Sequence, residues 1–239
     1  MTAAGEATLL QRVWLLLVHL RRFLLEGAVA TGLATAAVYF YSPELLRFLQ
    51  GHLDQRLAFF GVLEPVVALL KLSLVTALAL LAPWFLWRLA GALRAVFGLS
   101  RRFAFFFLPA ALVLFYGGAA FCFFVTLPFG VDFLLGYQSP HLRPVISVGK
   151  FVNFVGLFLL AFGIVFELPL VMTLLCRLRI CGVETFRRYR RFAVLAIAVL
   201  AAVLTPTPDV FNMALMGVPL YLLYEVGVLV ARLTGPRSA

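Results

Sequence analysis

Five ionisable side chains fall inside or beside long apolar stretches of this chain: Glu26, Lys71, Glu167, Asp209 and Glu225. A charge at membrane depth is costly, so such groups are candidates for proton relay, ligand contact or ion pairing. Glu167 carries the most information. It sits in Phe166-Glu167-Leu168-Pro169, and Pro169 must free a backbone carbonyl beside the acid and can bend the helix. On a 3.6-residue helix Asn153, Gly156, Gly163 and Glu167 share a sector of about 80°, while the rest of the stretch is mostly Phe, Leu and Val. Two readings of that face stand side by side. It is a water-accessible or ligand-facing acid, or it is a small-residue packing face with a protonated glutamic acid.

The other four have local explanations to weigh. Lys71 lies beyond Pro65 near one end of its stretch, where its stem can snorkel to the interface. Glu26 lies near the opposite boundary. Glu225, in Tyr224-Glu225-Val226-Gly227, is placed to pair with an arginine of the basic segment 177–191. Asp209 follows Pro208 and can cap the helix after it.

Enzyme chemistry is not written here. The chain has no H-E-x-x-H, G-x-S-x-G or P-loop string, and His19, His52 and His141 are scattered. Cys176 and Cys181 form a lone C-x4-C without a nearby histidine, and with Cys122 they read as reduced thiols. No metal and no cofactor is expected.

The elements that must hold these groups follow from composition. Of 239 residues, 64% are hydrophobic and 13% charged, about half the charge of a soluble domain. Lipid must cover such a surface. The net charge of +10 comes from arginines beside apolar segments, which points to a membrane rather than to nucleic acid. Six stretches can cross a bilayer: about 23–41, 65–87, 103–128, 151–176, 192–204 and 210–230. Most reach the roughly 20 residues that a span requires. The fifth is short and ends at Thr205-Pro206-Thr207-Pro208, so it is a short span or half of a re-entrant hairpin.

With six spans, one side carries Arg12, Arg21, Arg22, Arg88, Arg94, Arg101, Arg102, Arg177, Arg179, Arg187, Arg188, Arg190, Arg191, Arg232 and Arg237. The other carries only Arg47, Arg56, Arg143 and Lys150. The asymmetry places both termini in the cytoplasm. Residues 1–22 read as a short amphipathic lead-in rather than a cleaved signal. Leu45, Leu46, Phe48, Leu49, Leu53 and Leu57 predict an amphipathic helix along the outer surface, and 129–150 reads as an outer loop punctuated by Gly and Pro. The fold class is therefore an all-α polytopic membrane protein, one integral domain over 1–239.

Several strings together resemble one family. Phe162-Gly163-Ile164-Val165-Phe166-Glu167-Leu168-Pro169 is similar to the F-G-x-x-F-E-x-P signature of the TatC family's fourth span. Leu204-Thr205-Pro206-Thr207-Pro208-Asp209 resembles its L-T-P-x-D segment, and Pro219 to Gly227 its P-x-x-x-L-[FY]-E-x-G motif. Ala82-Pro83, Leu127-Pro128-Phe129 and the basic 4–5 loop sit where the family has similar features. The resemblance implies a concave, glove-shaped six-helix bundle in the cytoplasmic (inner) membrane. It implies a receptor for twin-arginine signal peptides of folded proteins, driven by the proton-motive force. The implied partners are TatA-like and TatB-like single-span subunits, further copies of the chain, and membrane lipid.

By the same resemblance, His19, Arg21, Ser100, Arg101 and Glu167 are the signal-peptide residues, and Thr205, Asp209, Met213 and Glu225 face a partner subunit. The chain departs from the family pattern at three of these places. His19 and Ser100 stand where the family has glutamates, and Met213 stands where it has a glutamine. From the residues alone the competing function is a proton-coupled small-solute transporter using Glu167.

Overall fold

Long apolar runs with few breakers must satisfy their backbone groups internally, and helices do so. In the computed structural model, residues 3–53, 57–97, 101–135, 146–178, 180–204 and 210–234 are described. Their helices are α1 (Ala3–Tyr39), α2 (Ser42–Leu53), α3 (Glu64–Phe97), α4 (Arg101–Phe121), α5 (Leu127–Leu135), α6 (Val148–Phe166), α7 (Leu168–Arg177), α8 (Val183–Arg188), α9 (Arg190–Leu204) and α10 (Val210–Thr234). A π-helical turn, Cys122–Thr126, joins α4 to α5.

Four segments are long and apolar enough to cross a membrane: Glu64–Arg94, Phe105–Val131, Val148–Arg177 and Met216–Leu233. The bent pair Arg21–Tyr39 with Ser42–His52, which turns through 74°, qualifies jointly as a fifth. At 15 residues α9 falls short, as the proline-rich string after it led one to expect. Only 28–33% of the residues in the four windows are buried. Side chains such as Phe105, Phe106, Val113 and Leu222 instead face outward, the pattern of a lipid-solvated surface.

The middle of the bundle is α6. Its Phe151, Val152, Val155, Phe158 and Phe162 are buried against Leu72 of α3, Leu49 of α2, Met216 of α10 and Cys122 of the π turn. A second cluster joins Met172 of α7 to Ile197 of α9 and Leu220, Tyr224 and Val228 of α10. Glycine sets the closest approach. A Cβ on Gly118 of α4 would lie 2.7 Å from the Phe162 carbonyl oxygen and 2.6 Å from Phe166 Cγ, so only Gly lets these two helices meet.

Several sequence expectations need correction. The lead-in and the first span share one helix, since α1 runs unbroken from Ala3 to Tyr39. The stretch 129–150 is not all loop. Pro128 has no N–H to give, and the Leu127 N–H reaches the Cys122 carbonyl, so a π turn carries the helix on to Leu135. The fourth span is two helices that meet at Glu167.

Nor is the chain wholly α. Leu57-Ala58 (β1) pairs in parallel with Ile146-Ser147 (β2). Glu64, at the start of α3, fixes that corner. Its carboxylate accepts from the Ser147 hydroxyl, from the Gly149 N–H at 3.0 Å and from the Phe60 N–H at 2.8 Å. The predicted surface helix is present as α2, with Ser42 Oγ donating to the Tyr39 carbonyl at the bend.

Candidate functional site

Among the described residues, three groups of polar side chains bear on the predicted site. At the first, α6 ends on Phe166 and α7 starts at Leu168, with Pro169 in its first turn. Proline cannot donate there, and the Glu167 carbonyl takes the N–H groups of Leu170 and Val171 at 3.0 and 2.9 Å instead. Glu167 is half-buried, and among the described residues its Oε1 is buried with no hydrogen-bond partner. The face read from the sequence divides in two. Gly156 and Gly163 are packing glycines, each with space for a Cβ only 2.8 Å from Val75 or Phe115. Asn153 is exposed. The small-residue reading therefore holds for the glycines.

At the second place, Arg190 Nη2 lies 2.8 Å from Glu225 Oε2, and the Tyr221 hydroxyl donates to Oε1 at 2.9 Å. The Tyr224 hydroxyl donates to the Phe186 carbonyl at 2.6 Å, tying α8 to α10. The pairing of Glu225 with an arginine of the basic segment is thus present. Tyr221 also lines a cavity of about 540 Å³ between α9 and α10, together with Met213, Gly217, Ile197 and Ala198.

At the third place, α1 meets α3. Arg88 donates to Glu26, and Arg22 Nε is 3.7 Å from the other carboxylate oxygen. Phe23 and Trp84 stack at 6.2 Å, and Phe85 fills the notch over Gly27. This pairing spans 62 residues and was missed from the sequence. The available signal was that Glu26 and Arg88 both sit at the arginine-rich boundary of their spans.

The remaining predicted residues distribute unevenly. Arg21 is exposed on α1, beside the Arg22–Glu26 pair. His19 lies in α1 and Arg101 begins α4, but their side chains lie outside the described residues, as do Ser100, Thr205 and Asp209 entirely. Among the described residues no group of three or more His, Cys, Asp or Glu could hold a metal. The hydroxyls of Ser73, Thr76 and Thr173 donate to carbonyls four residues back and are taken up by their own helices. Paired charges, an apolar cavity and, among the described residues, an orphan carboxylate oxygen suit binding of a helix or extended peptide, not bond making.

Comparison with known proteins agrees. A family profile described as "Sec-independent protein translocase protein (TatC)" matches residues 16–219. The chain is 32% identical over 226 residues to the Sec-independent protein translocase protein TatC of Carboxydothermus hydrogenoformans, covering 92% of each. It is 29% identical to that of Escherichia coli K12 over 223 residues, covering 90% of this chain and 86% of the relative. A crystal structure of the twin-arginine translocase receptor TatC superposes with a TM-score of 0.81 at 26% identity, covering 90% of this chain and 99% of that one. The chain belongs to the TatC family.

Proposed function

We propose that this chain is the receptor and core subunit of a twin-arginine protein translocase. It binds signal peptides of folded proteins and helps export them across the cytoplasmic membrane at the expense of the proton-motive force. The observation that carries this reading is the family match over residues 16–219 together with the receptor fold over 90% of the chain. In it, α1, α3, α4–α5, α6–α7, α9 and α10 are six spans of a concave bundle, with both termini in the cytoplasm; the arginine asymmetry supports that orientation. His19, Arg21, Ser100, Arg101 and Glu167 face the signal peptide. The α9–α10 side, with Thr205, Asp209, Met213 and Glu225, receives TatA-like and TatB-like subunits, and several copies of the chain assemble in the complex. The cavity beside Met213 supports that assignment, since its lining is apolar. The whole-chain likeness to translocase subunits leaves a proton-coupled solute transporter without a supporting observation.

The test is photocrosslinking of a twin-arginine signal peptide to the detergent-solubilised chain. Crosslinks that fade when the arginine pair becomes a lysine pair support the reading. Equal crosslinking of both peptides would sink it. Because His19 and Ser100 replace two acids, H19E with S100E should strengthen the arginine-dependent signal by several-fold, each exposed ion pair contributing about 0.2–1 kcal/mol.

A further inference from the structure

The arginine-rich end of the α1–α3 contact encloses a cavity of about 430 Å³, lined by Arg22, Glu26, Trp87, Arg88, Gly91 and Arg94 among others. Three guanidiniums face one carboxylate there. Glu26 is already engaged by both Arg22 and Arg88, so the lining keeps an excess of positive charge. The Nε atoms of Arg88 and Arg94 are buried and, among the described residues, lack a hydrogen-bond partner. A buried guanidinium N–H left unpaired is costly, and a phosphate oxygen is its best-matched acceptor. Gly91 has open space where a side chain would stand. The cavity sits where the apolar window of α3 ends, at Arg94. Leu24, Leu25 and Leu89 are exposed beside it.

We propose that this cavity is a binding site for the phosphate of an anionic ligand, a lipid head group or a soluble phosphate. Arg94 and Arg88 donate through their guanidiniums, Arg22 adds charge, and Glu26 offsets part of that charge. A basic pocket between helices at the membrane boundary is the geometry that anionic head groups occupy. The same charge excess disfavours an arginine-bearing peptide here. The proposal rests on the proposed reading only in that α1 and α3 cross lipid. Its test requires no translocation, so the two can fail separately.

The experiment places the full chain, carrying W14F and W84F, in phosphatidylcholine nanodiscs. Quenching of Trp87 is followed as brominated phosphatidylglycerol or brominated phosphatidylcholine is titrated in. Brominated phosphatidylglycerol should quench at a several-fold lower mole fraction than brominated phosphatidylcholine. R94Q and R88Q should each reduce that preference by about fivefold, the equivalent of about 1 kcal/mol per arginine. E26Q should preserve or increase it, whereas a site for cations would lose its ligand. If millimolar inorganic phosphate abolishes the preference and an equal ionic strength of chloride does not, the site belongs to soluble phosphate. Equal quenching by both lipids with no response to phosphate overturns the proposal, as does loss of the preference in E26Q. Should R94Q or R88Q fail to fold, the unaltered chain and E26Q still decide it.

Discussion

Arg190, the first residue of α9, reaches across to Glu225 on α10, with Nη2 2.8 Å from Oε2. The Tyr221 hydroxyl, one turn earlier on α10, holds the other carboxylate oxygen at 2.9 Å. The pair joins the short α9 to the long α10 at the arginine-rich end, where the apolar contacts of Ile197 with Leu220 and Tyr224 do the rest. Both side chains are partly exposed, at 45% and 30%. A double-mutant cycle with R190Q and E225Q should return a coupling of about 0.5–1 kcal/mol in detergent unfolding, the range of a partly screened pair. A coupling indistinguishable from zero would show that packing alone holds α9.

Gly118 and Gly117 are neighbours in α4 with opposite surroundings. A Cβ on Gly118 meets Phe166 and the Phe162 backbone within 2.7 Å, whereas one on Gly117 meets nothing within 4 Å. Replacing Gly by Ala in a helix favours the fold by up to about 1 kcal/mol. Overpacking costs about 1–3 kcal/mol. G117A should therefore be neutral or stabilising, and G118A should lower the melting temperature, with G118V lower still. Equal melting temperatures for G117A and G118A would contradict the close α4–α6 contact.

Glu167 is half-buried at the α6–α7 break, with Oε1 unpartnered among the described residues. E167Q keeps the shape and removes the charge. It should leave the chain folded, since Oε1 has no hydrogen-bond partner among the described residues to lose, while reducing export several-fold. E167C should react with a small hydrophilic maleimide in the folded protein. A folded E167C that resists labelling would assign Glu167 to packing.

The sequence foretold most of what hydropathy and local chemistry control. Apolar runs located the long helices, Pro169 located the break at Glu167, and the spacing of Leu45, Leu46, Phe48, Leu49 and Leu53 located α2, although Leu57, read into the same helix, stands in β1. The shared placement of Glu225 and the arginines of 177–191 at one boundary was enough to foresee an ion pair. What escaped depends on tertiary meeting. Glu26 finds Arg88 across 62 residues, and Glu64 finds Ser147 and Gly149 across 83 and 85. The two-residue strands β1 and β2 are too short to carry a period. The continuation of α1 back to Ala3 escaped because Arg21 and Arg22 were read as a boundary, while a helix can carry charges past the lipid edge. Gly156 and Gly163 lay on the face that the helical wheel picked out, but only the partners Val75 and Phe115 reveal that they serve packing.

Orientation is open to a direct check. A reporter fused after Tyr189, between α8 and α9, should report the cytoplasm, and one after Gly61, between α2 and α3, the opposite side. The fifteen-to-four division of basic residues sets the sign of both. Both reporters on the same side would rule out the six-span arrangement.

Export itself tests the receptor assignment most directly. The chain, with the single-span partner subunits of its own source, is expressed in a host whose own TatC has been deleted. The host also carries a folded reporter behind a twin-arginine signal. The reporter should cross the membrane, a twin-lysine signal should leave it inside, and an uncoupler of the proton-motive force should stop transport. Equal export of the twin-lysine reporter, or none from a chain that accumulates folded with its partners, would contradict the receptor assignment.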